Sequence, residues 1–232
     1  MPQLSEHDLE QMRRRLSAAA LDLYLREGFE AVTLRGVAAA LGISHTLPYR
    51  YFDNKDALFA RVRADCFEQM AQAIMSADRP ATEPLQRLAQ LVNAYLAYVR
   101  EHPQEYRLVF ILDQPSPERF PELQEARRRL FDYGVGIIRR CVEQGTVKGD
   151  PRDLMHLGWA GMHGLISLHV GGQLVHGRRF EDLLQPLLQA LFGPGWGGAG
   201  LQLQIEPAAA GPKEETHERR HSVRAASRTR TR

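Results

Sequence analysis

The chain has 232 residues, of which 44% are hydrophobic and 25% charged, a balance that suits one or two globular domains with a buried core. No apolar run reaches the roughly 20 residues that a bilayer-spanning helix needs. The N-terminus, MPQLSEHDLE, lacks the basic and apolar regions of a secretion signal, so a cytoplasmic protein with no membrane partner is expected. The formal net charge of +2 is unevenly placed, with +4 on residues 213–232 and −2 on the remainder, so bulk charge does not announce a polyanion partner.

Helical periodicity dominates. Leu9, Met12, Leu16, Ala19, Ala20 and Leu23 fall on one stripe, and Gly28 is placed to end that helix. Thr33 is a good N-cap for a short helix, LRGVAAAL, that stops at Gly42. Ser44 can cap a third helix, and Asp53 or Asn54 a fourth, about residues 54–77; with Asp53 as cap, Asp56 takes the N3 position. Pro80 and Pro84 mark a boundary. Beyond it, Leu85, Leu88, Val92, Tyr95 and Val99 share a helical face, which Pro103 ends. Residues 104–112 form a short apolar segment, and the loop DQPSPERFP carries three prolines. A long helix then presents Leu123, Ala126, Leu130, Tyr133, Ile137 and Cys141. Asp150 and Pro151 suit the start of a helix reaching about residue 175, and a last one covers about 181–192 with Pro186 as a kink. No strand alternation or internal repeat is present. From Gly193 the composition turns Gly-rich, then Pro/Ala-rich, then Arg/Ser/Thr-rich, and residues 194–232 are expected to be a disordered tail. The two cysteines, Cys66 and Cys141, are read as reduced and inert.

Two short helices joined through Gly42 form a helix-turn-helix pattern: Ala38 is small where the helices cross, Gly42 suits a sharp turn, and Ile43 plugs back into the core. The stretch AAALDLYLREGFEAVTLRGVAAALGISHTLPYRYFDNKDAL, residues 18–58, resembles the DNA-binding domain of TetR-type (tetracycline-repressor-like) transcriptional regulators. The resemblance rests on E-x-G-F, the Thr33 cap, the Ala38/Gly42 turn, Ser44, Y-x-Y-F and Lys55. Trp159, His163 and Gly164, in WAGMHG, resemble the Trp/His/Gly signature of one class of C-terminal domains in that family; Gly158, Gly161 and Gly164 equally make a small-residue face for another helix.

The resemblance implies an all-α protein, with a three-helix DNA-binding domain over residues 1–60 and an effector-binding and dimerisation domain over 80–193. It implies a homodimer on a palindromic double-stranded operator and repression relieved by a small-molecule effector. Neither a cofactor nor a metal is implied. Tyr49, Tyr51 and Lys55 match phosphate-contacting positions, Thr33 caps and can touch a phosphate, and Arg35 matches a base-reading position. Ser44, His45, Thr46, Leu47 and Arg50 belong to the segment facing the groove, with Leu47 suited to a thymine methyl; Arg50 fits base reading and phosphate contact equally. Phe52 reads as core. The departure from the family is Pro48, where a leucine is usual. Counted from a Ser44 cap, Pro48 is N4 and forfeits one intrahelical bond, and Leu47 should leave the helical region or the first turn tighten.

Tyr95, Tyr98, Phe110, Phe131, Trp159, Met162 and His163 are candidates to line an apolar pocket, and each is also an ordinary core residue. Leu183, Leu184, Leu187, Leu188 and Leu191 can supply a dimer surface or an intrachain core. Catalysis has little support. His156 and His163 lie seven residues apart, about 10 Å along a helix and too far to share a zinc ion. No HExxH, cysteine cluster or G-x-S-x-G occurs. A helical-bundle interaction protein without ligand response is the remaining alternative, and it leaves Tyr49, Tyr51 and Lys55 unexplained.

Overall fold

The computed structural model describes residues 5–193, and the expected tail lies outside them. The described residues are helical throughout, with no strand among them. The first helix, α1 (Glu6–Glu27), begins in a capping box: Ser5 accepts from the Asp8 amide while the Asp8 carboxylate accepts from the Ser5 amide. It ends at Gly28, whose φ of 84° is open to glycine and strained for other residues. Next comes α2 (Leu34–Ala40), with Thr33 Oγ1 accepting from the Gly36 amide at 2.9 Å.

The third helix is where expectation and structure part. Residues 44–51 form no α-helix. They make a turn closed by the Leu47 amide on the Ser44 carbonyl at 2.9 Å, then a 3₁₀ turn, Pro48–Arg50. Pro48 is therefore N1 of a short tight turn rather than N4 of an α-helix. Leu47 keeps helical angles (φ −65°, ψ −43°). Tightening to i→i−3 bonds is how the chain accommodates a ring without an N–H. Burial of the Pro48 ring supplies what the helix propensity lacks.

The chain continues into α3 (Lys55–Ser76). Asn54, not Asp53, is its cap, accepting from the Ala57 amide at 2.9 Å, so Asp56 sits at N2 rather than N3. At 22 residues α3 is about 33 Å long. It packs against α1, α4 (Pro84–Glu101) and α6 (Pro121–Glu143), so it joins the N-terminal helices to the helices that follow. Between α4 and α6 lie a single turn, α5 (Pro103–Tyr106), a π-helical turn at Arg107–Ile111, and a loop with a 3₁₀ turn at Pro117–Arg119.

The last pair is α7 (Pro151–Val170) and α8 (Phe180–Phe192). Asp150 caps α7 twice, at the Arg152 and Asp153 amides. This helix stops five residues before the sequence expectation, at Gly171 and Gly172, the latter with φ 65°. Gly158 and Gly161 give α8 its close approach: a methyl on Gly161 would lie 2.9 Å from Leu187, and one on Gly158 3.1 Å from Phe192. Gly164 does not share this role, because open space lies over it. Leu184 and Leu188 are buried in the intrachain core, whereas Leu183, Leu187 and Leu191 are half-buried.

Candidate nucleic-acid interface and effector cavity

The segment of residues 44–51 is anchored on the core and presents polar side chains outward. Pro48, at its centre, and Phe52, which follows it, are buried, and the Ile43 amide donates to the Ala38 carbonyl across the Gly42 turn. Around this anchor Thr33, Arg35, Ser44, His45, Thr46, Tyr49 and Arg50 are exposed, while Leu47, Tyr51 and Lys55 are half-buried. The Ser44 and Thr46 hydroxyls bond each other at 3.0 Å, and Ser44 Oγ reaches the Thr46 amide weakly at 3.5 Å. Arg35 and Arg50 have no carboxylate partner among the described residues. Their charge is open to an outside anion.

Lys55 is more engaged than its place at a helix start suggests. Its ammonium donates to the Phe29 carbonyl at 2.7 Å and lies 4.3 Å from the Phe29 ring centre. The Glu30 carboxylate lies 3.9 Å away as well, and an ammonium's three donors leave room for a phosphate beside the Phe29 bond. The residue thus ties the α1–α2 loop to α3 as well as carrying a positive charge.

At the far end of α3 lies a cavity of about 660 Å3, lined chiefly by apolar side chains of α3, α4, α6 and α7 and of the π turn. This is the size range of small-molecule sites. Tyr95, Phe110, Phe131, Trp159, Met162 and His163 all line it. Tyr98 does not: it stacks on His102 at 4.4 Å, and its hydroxyl faces the Cys66 carbonyl at 3.5 Å, on the α3 side of α4. The sequence reading also passed over Arg127, Phe67 and Tyr133, which line the cavity. No local pattern marks them, since the cavity forms only when four helices meet.

One wall residue, His163, is the middle of a polar chain. The Tyr106 hydroxyl and His163 Nδ1 are 2.6 Å apart, and Ser167 Oγ is 3.4 Å from His163 Nε2. Burial holds the His163 pKa below its ordinary value, so the imidazole is neutral near pH 7. The Tyr95 hydroxyl is buried near Tyr106, with the ring centres 6.5 Å apart, and makes no hydrogen bond of good geometry. Removing an unsatisfied hydroxyl leaves no partner stranded. Tyr95→Phe is therefore expected to leave the thermal midpoint unchanged or raise it. A clear fall in a melting experiment would contradict the orphaned geometry.

Comparison with known proteins fits both halves. A family model described as "Bacterial regulatory proteins, tetR family" matches residues 16–62, and one described as "Tetracyclin repressor-like, C-terminal domain" matches residues 88–191. The chain belongs to the TetR family. It is a DNA-binding transcriptional regulator, as its relatives are. It is 28% identical to the HTH-type transcriptional regulator RutR of Escherichia coli K12, over 64% of this chain and 70% of that one. A solved tetR-family regulatory protein from Rhodococcus RHA1 is 25% identical, with a TM-score of 0.52 over 62% of this chain and 77% of that one. The fold is also that of a Rhodococcus sp. RHA1 protein of unknown function, 23% identical, with a TM-score of 0.65 over 78% of this chain and 95% of that one. Among the described residues, no helix of this TetR-family chain is long and apolar enough to cross a membrane.

Proposed function

We propose that this regulator is a cytoplasmic repressor that binds a palindromic operator as a homodimer and is released when a small molecule occupies the cavity. The observation that carries the reading is the two-ended α3: an exposed set of groups around Pro48, with Arg50 lacking a carboxylate partner among the described residues, at one end and a ligand-sized cavity at the other. Two-fold symmetry would set each 44–51 segment in a major groove one helical turn from its mate. Thr33, Tyr49, Tyr51 and Lys55 are assigned to phosphates, Arg35 and Arg50 to base edges, with Ser44, His45, Thr46 and Leu47 between them. The dimer face is assigned to α7 and α8, where Leu157 and Leu168 stand 55% and 46% exposed beside the half-buried Leu183, Leu187 and Leu191. No catalytic role is assigned.

A physical route joins the two ends. Arg63, buried on α3, donates to the Leu108 and Asp113 carbonyls at 3.0 and 2.8 Å. These flank Val109 and Phe110, which line the cavity. A ligand that displaces Phe110 acts on the π turn that Arg63 grips, and so on α3. It needs only to favour one of two α3 placements to shift the dimer away from operator spacing.

Titration against the intergenic DNA beside the protein's own coding region, followed by fluorescence anisotropy at two salt concentrations, tests the reading. Salt-sensitive, sequence-selective binding supports it; its absence favours a helical bundle without ligand response. Within that assay Arg50→Ala is expected to lower discrimination between operator and mismatched sites by about 1–3 kcal/mol. Lys55→Ala should weaken all sequences alike and reduce the salt slope by about one. Equal loss of discrimination in both variants would refute the division of roles.

A further inference from the structure

Arg127 is out of place in the cavity wall. It is half-buried and lines a mainly apolar space, yet among the described residues it has no carboxylate partner. The two other arginines in the wall are paired: Arg128 with Glu125, and Arg152 with Asp132 at 3.2 Å. The Arg127 guanidinium is met only by neutral groups, the Gln114 side-chain oxygen at 2.5 Å and the Phe67 ring at 5.6 Å. Its surroundings add to the imbalance. Arg63 lies near enough for the two guanidinium groups to repel; its own donors go to two carbonyls, with Asp56 and Asp113 offsetting part of its charge from further away. An uncompensated cation taken partly out of water costs free energy unless an anion arrives.

The rest of the cavity states what else the occupant carries. Ile74, Leu91, Val92 and Ile138 offer no hydrogen bond, and the polar chain through His163 is neutral. An anion placed there would meet no positive charge. Among the described residues the wall therefore has one arginine without a carboxylate partner, Arg127, on a mainly apolar surface.

We infer that the effector is an amphipathic monoanion, an apolar hydrocarbon body bearing a carboxylate that pairs with Arg127. This rests on the effector-cavity reading above. Arg127 is a specificity-determining residue, because it selects the charge of the ligand while the apolar walls select its body. The carboxylate takes the fork of guanidinium donors and competes with Gln114, whose amide also donates to the Leu108 and Leu112 carbonyls at 3.2 and 2.5 Å. Binding at Arg127 thus reaches the same Leu108 carbonyl that Arg63 holds from α3.

Calorimetric titration of the full chain with decanoate, with methyl decanoate and with decyltrimethylammonium tests the inference. Decanoate is expected to bind about ten- to a hundredfold more tightly than its ester, as a charged hydrogen-bonded pair warrants, and the cation more weakly than either. Arg127→Met keeps the apolar stem and removes the charge. It should bind acid and ester alike at the wild-type ester affinity, whereas Arg127→Lys should restore part of the preference. The ester titration also confirms that the variant cavity is intact. Equal affinity for acid and ester in the wild-type protein overturns the assignment of charge and leaves the cavity as an effector site. Absence of binding by both overturns the ligand class. Operator release by each probe, read in the anisotropy assay, is a separate arm: binding without release sinks the regulatory reading and leaves the Arg127 site standing.

Discussion

Replacing Asp78 with alanine is expected to cost about 3 kcal/mol of stability, the low end for breaking a buried ion pair. For a chain of this size that lowers the thermal midpoint by roughly 6–12 °C. The Asp78 carboxylate closes the loop between α3 and α4. It accepts from Arg87 through both oxygens, at 2.7 and 2.5 Å, and from the Tyr133 hydroxyl of α6 at 2.5 Å. The side chains of Asp78 and Arg87 are only 3% and 8% exposed, so the variant would leave a guanidinium and a phenol stranded. The Arg87 bond, helped by Tyr133, holds the Asp78 pKa down at about 2 against the opposing effect of burial. Because the folded pKa is below the unfolded one, the contribution is full above about pH 5 and is lost as pH falls toward 2. It is worth about 2 kcal/mol. Urea unfolding of wild type and variant between pH 7 and pH 2.5 checks this: the gap should be widest near neutrality and shrink on acidification. A variant as stable as wild type at pH 7 would show that the pair does not hold the loop.

Arg61→Ala is expected to have the second largest effect, about 2 kcal/mol at pH 7, discounted because two of its partners are largely exposed. Arg61 is 8% exposed on α3 and binds Glu10 of α1 at 2.6 Å and Asp65 at 2.8 Å, with Glu122 of α6 at 3.6 Å. Asp65 also receives the Ser17 hydroxyl at 2.5 Å. Without the guanidinium, three carboxylates face each other with only Arg13 and Arg14 to offset them. In the wild type, Arg61 holds Glu10 at about 2, so that stability is lost as pH falls. In the variant, mutual repulsion raises the carboxylate pKa values. The penalty is then present above their ordinary range and relieved below it. Denaturation at pH 7 and pH 4 should show the two proteins converging in acid; a gap that stays constant would mean that packing of the arginine stem, not charge, is what was lost.

Much of the fold was legible because it is written in local chemistry. Thr33, Asp150 and the Gly28 and Gly42 turns sit where capping and positive φ demand them. Apart from the α3 cap and the early end of α7, which are local, the failures come from contact between residues distant in sequence. Tyr95 and Tyr98 lie on the same stripe of α4, yet one faces the cavity and the other faces Cys66. Nothing in a helical period separates them. The ion pairs of Arg61 and Asp78 join different elements, and the charge pattern of no single helix foretells them. Pro48 shows a local rule meeting a tertiary one. A proline should push Leu47 from the helical region, but burial of the ring and 3₁₀ bonding keep it there.

That short turn limits how much the protein can know about a sequence. A segment of this length brings about three or four side chains to base edges, and a genome offers about 10⁶–10⁹ competing sites. One copy would be lost among near matches. In the homodimer proposed above, discrimination is multiplied by a second copy held at a fixed distance. Geometry between the two reading turns becomes part of the message, so a ligand that alters only their separation can erase the address without touching a single base contact.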